Sequence, residues 1–151
     1  MGLDMYLIKK YYIGAQSEYN NITGTVEIYQ QGVKIPIEIN DIKYIESEAV
    51  YWRKANMIHK WFVDHAQEGT DDCKRYYVSR EQLKELLDTC KQVLENHELA
   101  GELLPTQDGF YFGSTDYDDE YFKDVEYTVE QLSKLDLSQN TGFCYYYESS
   151  W

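Results

Sequence analysis

Two hydrophobic periodicities divide the chain. The first half alternates apolar and polar residues, the pattern of strands with one buried face. It predicts a first strand over Met5–Tyr12. A hairpin follows, Thr23–Tyr29 and Val33–Ile39 flanking Gln30-Gln31-Gly32, with Gly32 able to take a positive φ. Pro36 cannot donate to a ladder, so the second arm reads as an edge. Ile42–Tyr51 predicts another strand or a strand-to-helix transition.

From about Arg53 the spacing becomes helical. Ala55, Ile58, His59 and Phe62 share one face of a helix predicted over Arg53–Ala66, ended by Gly69-Thr70-Asp71-Asp72. Tyr76–Val78 is a short strand. Ser79 and Gln82 then form a capping box, with Val78 and Leu83 spaced as a hydrophobic staple. Leu83, Leu86, Leu87, Cys90, Val93 and Leu94 make one apolar stripe behind it. Pro105 ends that pattern, and Phe110–Phe112 reads as a strand closed by Gly113-Ser114-Thr115. Thr115 or Asp116 would cap an acidic helix from about Tyr117 to Leu135, and Phe143–Trp151 is a last strand. The sum is one α+β domain over residues 1–151: a mostly antiparallel sheet with about three helices packed against it.

Composition changes this picture in one respect. The chain has 151 residues, a net charge of -13 and 16 tyrosines. Such an excess of acid argues against holding nucleic acid by broad phosphate neutralisation. The charge is also uneven. Residues 101–151 hold 11 acids and 2 bases, whereas Arg53–Arg80 hold 6 bases against 4 acids. No stretch is long and apolar enough for a membrane span, and the start lacks a signal-peptide pattern, so the expected setting is cytoplasmic. Met1-Gly2 invites a myristoylation check that Tyr6 fails, and Asn21-Ile22-Thr23 is a sequon without meaning in that compartment. Cys73, Cys90 and Cys144 are widely spaced, which points to reduced thiols rather than a disulfide or zinc framework.

Three stretches could carry chemistry. Around Tyr51–Phe62, Trp52 offers a stacking surface, Arg53 and Lys54 offer phosphate partners, and Asn56 can read a base edge. Trp52, Asn56 and His59 follow an i, i+4, i+7 spacing that lets them share one face. The competing reading is a core helix with Trp61 and Phe62 inside. Phe110–Thr115 forms a second candidate, a small anion nest, with capping as its simpler explanation. Asp116, Asp118, Asp119, Glu120 and Asp124 form a third, able in principle to bind Mg²⁺ or Ca²⁺ but without an EF-hand order. No cofactor motif and no catalytic signature occurs: HExxH, GxSxG and the P-loop are all missing.

Four blocks, MGLDMYL, YWRKANMIHKWFV, DDCKRYYVSREQL and ELLPTQDGFYFGSTDYDDEYF, resemble in this order a family of uncharacterised phage and bacterial proteins. Some members carry the label phosphoglycerate kinase, which 151 residues without a nucleotide-kinase glycine loop cannot satisfy. Many members look longer between the Ser79 helix and the LLPT block. The resemblance implies a phage or mobile-element setting, hence the host cytoplasm, in which small accessory proteins counter host defence.

The leading expectation is therefore non-enzymatic sequestration of an anionic nucleotide-like ligand. Trp52, Arg53, Lys54, Asn56, His59, Tyr76, Arg80, Phe110, Ser114 and Thr115 would form its pocket. The alternative is an acidic protein–protein inhibitor that covers a basic host protein with the helix after Thr115. A third reading is a small metal-dependent hydrolase using Asp116, Asp118 and Asp119. The C-terminal tyrosine strand could complete the domain's own sheet or pair with a second copy.

Overall fold

A computed structural model describes residues 2–14, 24–139 and 142–151. Met1, the Asn21–Thr23 sequon and the Thr23 start of the predicted hairpin lie outside the described residues. The protein is a single compact α+β domain. A four-stranded antiparallel sheet has the order β4-β1-β6-β5, formed by β1 (Asp4–Tyr12), β4 (Tyr44–Arg53), β6 (Phe143–Ser150) and β5 (Tyr76–Val78). A separate hairpin joins β2 (Ile28–Gln30) to β3 (Val33–Ile35) through Gln31 and Gly32, both at positive φ. The helices are α1 (Asn56–His65), α2 (Arg80–Glu95), the single turn α3 (Ala100–Leu103) and α4 (Asp119–Ser133).

Alternation dictates which face of the sheet is buried. Met5 and Leu7 of β1, Tyr145 and Tyr147 of β6 and Val78 of β5 point to the core, while Tyr6, Lys10 and Tyr146 point away. Strand β4 would break this order without a bulge. Leu7 pairs with Val50 but Ile8 pairs with Glu48, which leaves Ala49 as the extra residue. The inserted residue turns Val50 and Trp52 inward while Tyr44, Glu46 and Glu48 stay outward.

Met57, Ile58, Trp61 and Phe62 of α1 join the core side chains of α2, α4 and the inward face of the sheet in one cluster. Phe62 of α1 stacks on Tyr147 at 4.0 Å between ring centroids, and Trp52 meets the edge of Phe62. The α2 stripe behaves as its spacing requires: Leu83, Leu86, Cys90 and Val93 are buried, with Leu87 and Leu94 at the margin. Its capping box is formed, Ser79 Oγ accepting from the Gln82 amide at 3.1 Å and Gln82 Oε1 accepting from the Ser79 amide at 2.9 Å. The cysteines are free thiols, and burial pushes Cys90 up to about 12. Among the described residues, no helix is long and apolar enough to cross a membrane.

Three expected boundaries are corrected. Strand β4 continues past Tyr51 through Trp52 and Arg53, so α1 opens at Asn56 rather than at Arg53. Phe110–Phe112 is a turn rather than a strand, with Tyr111 at φ 65°. The cap of α4 is Asp118, whose Oδ1 accepts from the Glu120 and Tyr121 amides, not Thr115 or Asp116. The C-terminal strand β6 completes the domain's own sheet between β1 and β5.

Candidate functional site

The site begins with a change of chain direction. Lys54, between β4 and α1, holds a left-handed φ of 59° and donates its amide to the Leu3 carbonyl at 2.8 Å. Gly113 lies against this turn. A Cβ there would come within 3.2 Å of the Lys54 carbonyl, and its own φ of 95° favours glycine.

Asn56 joins the two segments. Its side chain is 1% exposed. Its Nδ2 donates to the carbonyls of Ser114 (2.8 Å) and Phe112 (3.1 Å), while its Oδ1 accepts from the Gln107 amide at 3.1 Å. One buried amide therefore fixes the backbone of the 107–114 loop at three points.

A second buried network supports the same loop. His59 is fully buried, with Nδ1 2.7 Å from the Tyr147 hydroxyl and Nε2 3.0 Å from Asp71 Oδ1. Gln107 Nε2 donates to the other Asp71 oxygen at 2.9 Å. Burial pushes the Tyr147 hydroxyl well above its usual range, so it remains the donor to Nδ1. Burial also pulls His59 below the usual histidine value, outweighing the Asp71 charge. A neutral imidazole with its proton on Nε2 satisfies both partners.

These anchors leave the tip of the loop in solvent. Phe110 is 82% exposed and lies 4.1 Å, centroid to centroid, from the exposed Tyr111. Tyr117, Asp108, Asp116, Asp119 and Glu120 are exposed beside it along the chain. An acidic, aromatic rim results.

Between this rim and the Lys54 turn lies a cleft of about 340 Å³. Arg53, Lys54 and Ser114 line it together with Asp116, Asp118, Glu120 and Asp124. Burial first, then the charges of Glu120 and Asp118, push the Asp124 carboxyl up to about 6. Among the described residues, no group of three or more His, Cys, Asp or Glu side chains is placed to hold a metal ion.

The ten residues expected to form one pocket are thus dispersed. Arg53, Lys54 and Ser114 meet at the cleft. Phe110 and Thr115 sit on the exposed loop, where the Thr115 carbonyl accepts from Thr106 Oγ1 at 3.0 Å. Trp52 is a core residue, its indole N–H donating to Thr128 Oγ1 at 2.9 Å, so it presents no stacking face. Asn56 and His59 are committed to the internal bonds above. Tyr76 donates to Asp72 at 3.1 Å on β5. Arg80 is buried under Phe143 and Tyr145 and donates to the Phe143 carbonyl at 2.8 Å.

The physical reason for the dispersal is the strand at Tyr51–Arg53. An i, i+4, i+7 spacing places residues on one face only when the helix includes all of them. Conversely, Asp124, which the sequence groups with Asp116–Glu120 as a carboxylate stretch, lines the cleft together with Arg53 and Lys54. Comparison with known proteins supplies no analogue: no family model, curated protein or solved structure matches the chain.

Proposed function

We propose that the protein is a non-enzymatic binding protein that docks a basic protein surface against the rim formed by the 107–118 loop and the first turn of α4. The observation that carries this reading is Phe110, an exposed ring on a backbone locked from below by buried Asn56. A rigidly presented aromatic loses little conformational freedom on binding, the property of an interface anchor. The exposed carboxylates beside it would steer and register a cationic partner. In the phage-type setting that the resemblance implies, such a partner is a host enzyme with a basic nucleic-acid-binding face. The test is co-purification of that partner with wild-type protein and its loss on Phe110→Ala or on charge reversal at Asp119 and Glu120.

A second reading keeps the anionic, nucleotide-like ligand. It is favoured by the meeting of Arg53, Lys54 and Ser114 at the cleft. Four carboxylates on the same lining weigh against a polyanion, and the stacking role given to Trp52 falls away. Calorimetry with cyclic and linear nucleotides tests it. This reading expects binding that Arg53→Ala abolishes and Phe110→Ala leaves intact.

A further inference from the structure

The lining of the cleft comes from two segments of opposite charge. The Lys54 turn and the loop packed on it bring Arg53, Lys54 and Ser114. The cap and first turns of α4 bring Asp118, Glu120 and Asp124, with Asp116 between the two segments along the chain. Met57 and Tyr121, both buried, add apolar surface to the same lining.

These charges are not equally available. Asp118 accepts from the Glu120 and Tyr121 amides, and Glu120 pairs with Lys123 at 2.6 Å. Arg53 faces Asp4 at 3.9 Å, outside the lining. Among the described residues, the Asp116 and Asp124 carboxylates and the Lys54 ammonium have no hydrogen-bond or ion-pair partner. Lys54 shares a cleft with both carboxylates and pairs with neither, so opposite charges are held apart. Burial and the charges of Glu120 and Asp118 act on Asp124 with no cation to offset them, which holds its carboxyl up at about 6.

The cleft therefore offers two open carboxylates and one open ammonium in a cavity of about 340 Å³, the size of a small-molecule site. A basic amino acid is their complement. Its carboxylate meets Lys54, with Arg53 adjacent; its two cationic groups meet Asp116 and Asp124; its methylene stem covers Met57 and Tyr121. Other occupants match fewer of these groups. A nucleotide would bring several negative charges to a lining with four carboxylates and one unmatched cation. Among the described residues, no three acidic, His or Cys side chains are placed to hold a metal, so the cation called for is organic. A simple amine, or an arginine within a protein chain, would leave Lys54 unmatched. We infer that the cleft is a binding site for a free basic amino acid of the arginine or lysine type, separate from the Phe110 rim.

The test is calorimetric titration of the full chain with L-arginine and with L-lysine. Saturable binding of at least one is expected. Agmatine and cadaverine, which lack the carboxylate, should bind at least tenfold more weakly, as should L-citrulline and L-norleucine, which lack the side-chain cation. Asp124→Asn and Lys54→Gln should each weaken binding at least tenfold with unchanged circular dichroism. Placing the two variants on different segments guards against one failing to fold. Phe110→Ala should bind the amino acid like wild type, which separates this site from the proposed rim. The inference is overturned if neither amino acid binds saturably up to about 10 mM. It is equally overturned if the decarboxylated or neutral analogues bind as well, if both variants keep wild-type affinity, or if a nucleotide binds more tightly. Tighter binding of a capped peptide with an internal arginine would also overturn it and assign the cleft to a side chain of a protein partner.

Discussion

Asn56 Nδ2 lies 2.8 Å from the Ser114 carbonyl, bridging 58 positions of sequence. That bond joins the first residue of α1 to the loop that presents Phe110. Truncation by Asn56→Ala would strand the Phe112 and Ser114 carbonyls and the Gln107 amide, each with a desolvation cost of about 1–3 kcal/mol where water cannot reach. We expect a total loss of about 2–4 kcal/mol, because the loop can relax toward solvent. The urea midpoint should fall accordingly, and the Gln107 amide should exchange its proton faster. An unchanged Gln107 exchange rate would contradict the anchoring role.

Trp52 and Thr128 provide a second test of framework against ligand site. In Thr128→Val the indole N–H loses its partner while the volume is nearly kept, so a cost of about 1–3 kcal/mol is expected. Tryptophan fluorescence-monitored unfolding measures it. A neutral substitution would mean that the Trp52 indole finds another acceptor.

Asp124 should oppose folding at neutral pH. Its folded value is raised to about 6 from 3.8, so its contribution to stability is fully present below pH 3.8 and is lost as pH rises through 6. Asp124→Asn is therefore expected to stabilise at pH 7, by no more than about 3 kcal/mol. The gain should vanish near pH 4. Urea titrations at both pH values check this, and a destabilised variant at pH 7 would contradict it.

His59 acts in the other direction. Its folded value is depressed below 6.5, so the unfolded chain takes up the proton first and stability falls as pH drops below about 6.5. The effect is cleanest on an Asp124→Asn background, where the opposing titration is removed. Adding His59→Gln should flatten the remaining dependence between pH 7.5 and 5.5. A dependence that survives the histidine's removal would assign it elsewhere.

Much of the fold was legible because local signals agreed with tertiary demand. Ser79 and Gln82 marked a helix start that the structure uses, and the stripe from Leu83 to Val93 is the face it buries. The alternation in Met5–Tyr12 and Phe143–Trp151 gave two central strands. The candidate site was less legible. From sequence Arg53 is compatible with a helix because tryptophan, arginine and lysine tolerate either state, and the left-handed turn at Lys54 leaves no sequence mark. Asn56, His59 and Arg80 looked like ligand groups because polar side chains carry no label for burial; long-range partners such as Phe112, Tyr147 and Phe143 decide it. The pattern of Phe110–Phe112 is that of a strand, whereas the loop that exposes Phe110 is held by the Asn56 anchor more than 50 residues away.

The most direct measurement of the central claim is quantitative affinity capture from a cell lysate, comparing wild type with three folded variants. These are Phe110→Ala, the double reversal Asp119→Lys/Glu120→Lys, and Arg53→Ala. Asp118 is left intact because it caps α4. The account predicts a basic protein retained by wild type and by Arg53→Ala, and lost at least tenfold from the other two. Retention unaffected by Phe110→Ala and by the charge reversal, with loss only on Arg53→Ala, would contradict it.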